Sequence, residues 1–284
     1  MVYKDYKELS IADNFMFCKI FSTRLDLCRR LIEILLERKV KEVKVAEQEK
    51  VIDIIAGAKR VQLDVYATEE DGTVYNLEMQ TAHKPVLEKR ARYYSGMIDL
   101  NQLEKGTAYK KLPDSIVIFL CTFDHGQRGL PVYEYENRCK ADPDMVLGDG
   151  RKIIFVNLMA DTSDCSEEVR NLYSYFLTGV SSDPFTEDLD NAVSNARLYQ
   201  DWRVEYMEWR ANEMDHECDL IEAREEGQEI GYGKGKAETN TLTDLITMRL
   251  SEGETVEELI ASGLDPEQVM FCARIIERFV KLND

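Results

Sequence analysis

R-V-Q-L-D-V-Y-A at residues 60–67 and T-V-Y-N-L-E-M-Q at residues 73–80 are the segments that decide the fold of this 284-residue chain. Polar and apolar side chains alternate in both segments, which predicts two strands of one hairpin. The connection Glu70-Asp71-Gly72 is typical of a three-residue loop, a type I turn followed by a G1 bulge. We therefore expect an antiparallel pair with one apolar face on the core.

The loop length sets the register of the hairpin and thereby places two carboxylates side by side. With Glu69 paired to Thr73, counting back along the strands puts Asp64 opposite Glu78. Like charges on cross-strand partners repel, unless the two groups share a proton or bind a cation. Oxygen ligands of this kind favour Mg²⁺ or Mn²⁺. An exposed polar sheet face would carry the same acids, so the residues alone leave both interpretations open.

The formal charge of −18, taken by itself, argues against a nucleic-acid-binding protein. It is unevenly distributed: the net charge is +1 for residues 1–110, −7 for residues 111–200 and −12 for residues 201–284. The neutral first third can still meet phosphate if its basic residues cluster. The chain shows no window typical of a membrane helix or signal peptide. Its seven Cys form no C-x-x-C pair, so we expect a cytoplasmic protein with reduced thiols.

The remaining pattern predicts an α/β domain followed by helices. Helical spacing covers residues 12–38, with a break near Ser22, and returns after the hairpin from about residue 83 to about residue 106. Further strands are expected near residues 43–55, 115–121, 131–138 and 152–158. Residues 186–226 are expected to form a long, charged helical stretch, whose Trp202, Tyr206 and Trp209 are spaced as packing residues are.

Several ordered motifs resemble a known family. D-V-Y-A at residues 64–67, followed by N-L-E-M-Q at residues 76–80, resembles the split motif of PD-(D/E)XK nucleases. The form ending in Gln rather than Lys resembles the recombination-promoting nuclease (Rpn) and transposase family. The same family's signatures are similar to A-D-N-F-M-F-C-K-I-F at 12–21, K-R-A-R-Y-Y at 89–94, N-Q-L-E-K-G-T-A-Y-K-K-L-P-D-S-I-V-I-F at 101–119 and A-R-E-E-G-Q-E-I-G at 223–231. The resemblance implies a restriction-endonuclease-like α/β core, with a mixed central sheet flanked by helices, and an α-helical C-terminal extension.

The resemblance also implies a DNA endonuclease that uses Mg²⁺, or Mn²⁺ or Ca²⁺. Asp64, Glu78 and the backbone carbonyl of Met79 would hold the metal, Gln80 would orient the attacking water, and Asp13 would add an outer acidic group. Contacts to DNA phosphate, or a structural brace, are expected from Arg90, Arg92, Tyr94 and Lys84. Gln cannot carry the positive charge of the usual Lys, so catalysis would be slower or more dependent on the metal.

Four segments are expected along the chain. They are a nuclease-like domain at 1–160, a helical extension at 161–226 that packs on the core or a partner, a Gly-rich linker or helix at 227–239, and a helix-turn-helix-like module at 240–284. Thr255 and Glu258 form a capping-box pattern in that module. Its acidity favours protein–protein contacts or dimerisation over DNA reading. The expected partners are DNA, a second copy of the chain, and a protein bound by the acidic C-terminal region. No association with a membrane is expected.

Two functional hypotheses remain open at this point. The first is a metal-dependent DNA endonuclease that promotes recombination or acts in mobile-element or defence biology. The second is a catalytically weak or inactive nuclease-fold protein that serves as an interaction or DNA-binding assembly module. The missing Lys and the acidic tail motivate the second hypothesis. The acidic C-terminal region would then keep non-specific DNA affinity low, or occupy a basic DNA-binding groove as a DNA mimic.

Overall fold

A six-stranded mixed sheet is the centre of the first part of the chain in the computed structural model, which describes residues 4–52, 60–83 and 85–280. The strands are β1 (Val43–Ile52), β2 (Val61–Glu69), β3 (Val74–Gln80), β4 (Ser115–Cys121), β5 (Val132–Tyr135) and β6 (Arg151–Asn157). Their spatial order is β1-β2-β3-β4-β6-β5. The pairs β3–β4 and β4–β6 are parallel, and the other three pairs are antiparallel. The expected mixed α/β fold is confirmed.

The hairpin of β2 and β3 has the predicted register. Val65 pairs with Leu77, and Thr68 pairs with Val74. The N–H of Glu69 donates to the carbonyl of Thr73 at 2.9 Å. Gly72 has a φ of 96°, the left-handed conformation that a G1 bulge requires. The three-residue loop is therefore confirmed.

Eight α-helices surround or follow the sheet in the described residues. They are α1 (Asn14–Thr23), α2 (Leu25–Leu36), α3 (Leu87–Gln102), α4 (Glu167–Thr178), α5 (Pro184–Ala196), α6 (Gln200–Ser251), α7 (Val256–Ala261) and α8 (Pro266–Val280). The helical stretch expected at 186–226 consists of two helices, because the chain turns between α5 and α6. Arg197 holds that corner by donating two hydrogen bonds, of 3.0 and 2.8 Å, to the carbonyl of Leu9.

Helix α3 packs on the sheet face that contains Glu78. The ring of Tyr94 stacks on Phe119 at 6.3 Å between centroids, and Ala91 and Ile98 are fully buried. Helices α1 and α2 contact β1, and α4 and α5 contact α2 in turn. Strand β4 is buried along its whole length. A strand covered on both faces needs apolar side chains at every position, which explains the continuous S-I-V-I-F-L-C run.

The chain forms two compact units, Met1–Glu208 and Trp209–Asp284. The division falls inside α6, and the expected boundary at residue 160 lies within the first unit. The expected Gly-rich segment at 227–239 belongs to α6. The second unit has its own small core of Ile246, Leu259, Val269 and Cys272. None of the described helices combines the length and the apolar composition needed to cross a membrane.

Candidate active site

The two predicted carboxylates lie where the backbone ladder between β2 and β3 ends. The last paired residues are Val65 and Leu77. Beyond them, the backbone N–H of Asp64 donates to Oε1 of Glu78 at 3.1 Å, and the N–H of Met79 donates to Oδ2 of Asp64 at 3.0 Å. Each carboxylate thus accepts from the opposite strand. The strands separate at this point, and the side chains of Asp64 and Glu78 occupy the gap.

The polar face of the hairpin is covered rather than exposed. Glu78 has no solvent-accessible surface, Asn76 has none either, and Gln80 is buried beneath α3. Asp64 is half-buried. An ordinary exposed acid needs no explanation, whereas a buried carboxylate is costly unless it is paired or binds a cation. Burial therefore excludes the exposed-sheet interpretation that the residues alone had left open.

Arg90 on α3 connects the side chains of this face. Its Nη2 donates to Oε2 of Glu78 at 2.6 Å, and its Nη1 donates to Oε1 of Gln80 at 3.1 Å. Its Nε donates to the hydroxyl of Tyr94 at 2.9 Å. Asn76 adds a hydrogen bond of 3.0 Å to Oε1 of Glu78. Glu78 is thus held by one charged and two neutral donors.

Burial has the largest effect on the pKa values of the Asp64 and Glu78 carboxyls. It raises the pKa of the Asp64 carboxyl well above the usual range, and the neighbouring charge of Glu78 raises it further. Burial also raises the pKa of Glu78, against the lowering effect of Arg90 and its hydrogen bonds. Two ionised carboxylates beside one guanidinium carry one uncompensated negative charge. Without another cation, this charge favours protonation of one of the two carboxyls.

The donor chemistry of this site fits a hard divalent cation. No group of three or more His, Cys, Asp or Glu in the described ranges is arranged to hold a metal, so the protein would supply two carboxylates and leave the other positions to water or phosphate. In an extended strand the N–H and C=O of one residue point to the same side. The Met79 carbonyl therefore faces β2, as its N–H does. Within the described chain, Oδ1 of Asn76 is buried without a hydrogen-bond partner, a demand that an ordered water would satisfy.

The structure brings Asn14, rather than Asp13, to the carboxylate pair. The Asp13 carboxylate accepts hydrogen bonds from Lys4 and Ser10. Nδ2 of Asn14 lies 3.4 Å from Oδ1 of Asp64, and Oδ1 of Asn14 accepts from Sγ of Cys18 at 2.9 Å. The sequence reasoning missed Asn14. Its only signal was its position beside Asp13 in the first-helix motif.

A basic groove opens beside the pair. Its volume is about 580 Å³. It is lined by Arg60, Val61, Gln62, Pro85, Val86, Leu87, Lys89, Arg90, Arg92, Tyr93 and Tyr94. Arg90 belongs both to this lining and to the contacts of Glu78, so it links the groove to the carboxylate pair. Arg92 is exposed on it, and Lys84 lies outside the described residues. Phosphate groups in this groove would meet four positive side chains.

A mixed sheet between helices, with two acids on neighbouring strands where those strands separate, defines the PD-(D/E)XK class of nucleases. The chain belongs to a family of that class, described as PD-(D/E)XK nuclease family transposase, whose model matches residues 12–180. This match confirms the resemblance seen in the sequence and covers the whole sheet and α1 to α4. No curated protein and no solved structure matches the chain.

Proposed function

We propose that this protein is a divalent-metal-dependent DNA endonuclease that hydrolyses phosphodiester bonds. The observation that carries the proposal is the pair of buried Glu78 and half-buried Asp64, whose charges exceed what Arg90 neutralises. The basic groove beside the pair suits a DNA backbone, and family membership supports a nuclease-type activity. Mg²⁺ is the ion we propose, with Mn²⁺ and Ca²⁺ as substitutes to be tested.

Different residues of the site would bind the metal and position the attacking water. Asp64, Glu78 and the Met79 carbonyl would hold the metal, which supplies a nucleophile at neutral pH and neutralises charge on the phosphate. Gln80 donates through Nε2 to the carbonyl of Ala82 at 2.8 Å and accepts from Arg90. These two bonds set the orientation of its amide. One N–H and one lone pair of the amide remain to position the attacking water.

Cleavage of plasmid and linear DNA with a panel of metals tests the proposal. We expect cutting by the wild type with Mg²⁺ or Mn²⁺, no cutting with EDTA, and a loss of roughly a thousandfold or more in Asp64→Asn and Glu78→Gln. Glu70→Gln is the matched control, because Glu70 is an exposed carboxylate on the loop of the same hairpin. Folded variants that cut at the wild-type rate would exclude this site. A wild type that cuts with no metal would contradict the proposed function.

The biological setting follows from the family rather than from the site geometry. We propose a role in recombination, mobile-element or defence biology, because a transposase-family nuclease acts on DNA that is to be rearranged or removed. A homodimer, and a protein partner for the acidic C-terminal region, are proposed as its assembly. Mass determination in solution at several protein concentrations tests the dimer directly.

A further inference from the structure

Position 80 of the site carries an amide where the general PD-(D/E)XK motif has a Lys. Gln80 is neutral, so it cannot stabilise the negative charge that develops on a phosphodiester during hydrolysis. Such a charge is best stabilised by donors and cations whose positions are set before the reaction begins. A site of this kind that lacks the Lys either depends wholly on the metal or takes its second cation from another element.

Arg90 is such a cation, and it reaches the site from α3. Its guanidinium donates to Gln80 at 3.1 Å and to Glu78 at 2.6 Å. The same group packs over the rings of Tyr94 and Phe119, with its Cζ 5.1 and 5.4 Å from their centroids. These contacts hold the side chain beside residue 80, and the guanidinium remains charged at any physiological pH.

The hydrogen-bond count of Arg90 leaves donors for a substrate. A guanidinium has five N–H groups. Three of them are directed at Tyr94, Gln80 and Glu78. The remaining two are the second N–H groups of Nη1 and Nη2. The side chain keeps 29% of its surface exposed and lines the basic groove, so part of Arg90 is open to a phosphate group there.

We propose that Arg90 takes the place of the missing Lys: it is a catalytic residue whose guanidinium, anchored on Glu78 and Gln80, contacts the scissile phosphate and stabilises its developing charge. This inference rests on the proposed nuclease function and names the group that compensates for Gln80. Arg90 would do so from a helix, whereas the motif places its Lys on the strand.

A purely structural role predicts different behaviour. If Arg90 only neutralises buried Glu78, a bound divalent cation can take over that task, and Arg90→Gln would then cut normally at saturating metal. If Arg90 acts on the phosphate, metal cannot replace it. Removing Arg90 also removes a cation that competes for Glu78. The variant should then bind metal at least as tightly as the wild type does, and yet cut poorly.

Four proteins decide between these roles: wild type, Arg90→Gln, the double variant Gln80→Lys/Arg90→Gln, and the control Arg29→Gln, an exposed Arg on α2. Melting temperature and calorimetric affinity for Mg²⁺ are measured without DNA, and kcat is measured at saturating Mg²⁺ and DNA. For Arg90→Gln we expect unchanged or tighter Mg²⁺ binding and a kcat lower by roughly 10²- to 10³-fold. The double variant should recover at least tenfold of that loss, and Arg29→Gln should match the wild type.

The outcomes separate this inference from the proposed function. A wild-type kcat in Arg90→Gln at saturating Mg²⁺, in a preparation whose wild type cuts, overturns the role of Arg90 and leaves the nuclease proposal intact. A wild type that cuts with no metal overturns both. If Arg90→Gln fails to fold, the double variant decides, because its Gln80→Lys substitution keeps one cation beside Glu78. Cutting by the folded double variant supports the inference, and a folded but inactive double variant overturns it.

Discussion

At the scale of single residues, the site is a compromise between stability and chemistry. Arg90 compensates the buried charge of Glu78 directly, whereas among the described residues Asp64 accepts from the neutral donors Met79 and Asn14. Burial raises the pKa of both carboxyls, and the neighbouring charge of Glu78 raises that of Asp64 further. Sites that concentrate like charges to bind a cation are destabilised while that cation is absent. The two acids should therefore respond in opposite ways to neutralisation.

We expect Asp64→Asn to stabilise the metal-free protein and Glu78→Gln to destabilise it. A carboxyl whose pKa is raised by folding loses stability as pH rises from its unfolded pKa through its folded one. Asn at position 64 removes that loss and can still accept from Met79. Gln at position 78 leaves Arg90 without its anion. Thermal melting in EDTA from about pH 5 to about pH 8 should show Asp64→Asn roughly 2 °C or more above the wild type at the upper end.

The contrast between the two variants is the control for this prediction. Glu78→Gln should melt below the wild type over the same range, because the partly buried guanidinium of Arg90 loses its carboxylate partner. Equal melting temperatures for all three proteins would mean that Asp64 has no unfavourable charge. Saturating Mg²⁺ should raise the melting temperature of the wild type above that of both variants, because only the wild type keeps both ligands.

At the scale of elements, two glycines in the second unit differ in backbone conformation: one is helical and the other is left-handed. Gly231 lies inside α6, and for the described residues nothing stands within 4 Å of the position that a Cβ would occupy. Gly263 follows α7 and has a φ of 94°. A helical Gly costs stability relative to Ala, whereas a Gly in the left-handed region is hard to replace. The same substitution should therefore have opposite signs at these two positions.

We expect Gly231→Ala to stabilise the protein by up to about 1 kcal/mol and Gly263→Ala to destabilise it by a similar amount. Far-UV circular dichroism during urea unfolding measures both. DNA cleavage should be unchanged in both variants, because neither residue lies near the carboxylate pair in the chain. Destabilisation by Gly231→Ala would indicate that the surface of α6 at Gly231 is needed for close contact with another helix.

At the scale of the whole molecule, the acidic charge and the candidate active site belong to different parts of the chain. The second unit contains eight Lys and Arg against eighteen Asp and Glu, a net charge of −10. The groove beside Asp64 is basic. Acidic residues tethered to a DNA-binding protein repel the phosphate backbone or compete with it, and salt screens both effects.

Deletion of residues 226–284 should therefore increase DNA affinity several-fold at low salt and raise the cleavage rate at limiting DNA. The deletion removes a net charge of −6 and keeps Tyr206, which is buried within the first unit. Fluorescence anisotropy with a labelled duplex, at about 50 mM and about 200 mM salt, measures the effect. The ratio of the DNA affinities of the deletion variant and the wild type should shrink as salt increases. A ratio that stays constant would argue against an electrostatic role of residues 226–284.

The hairpin, its register and the pairing of Asp64 with Glu78 were predictable from the sequence, because turn chemistry and side-chain alternation are local. The strand at 115–121 was predictable for a similar reason, since burial on both faces leaves a continuous apolar run. Only the tertiary structure decided that Glu78 is buried, that Arg90 holds it together with Gln80, and that Asn14 rather than Asp13 reaches Asp64. These contacts join residues 10, 12 and 50 positions apart. They depend on how α3 and α1 pack on the sheet, which no local pattern of polar and apolar residues specifies.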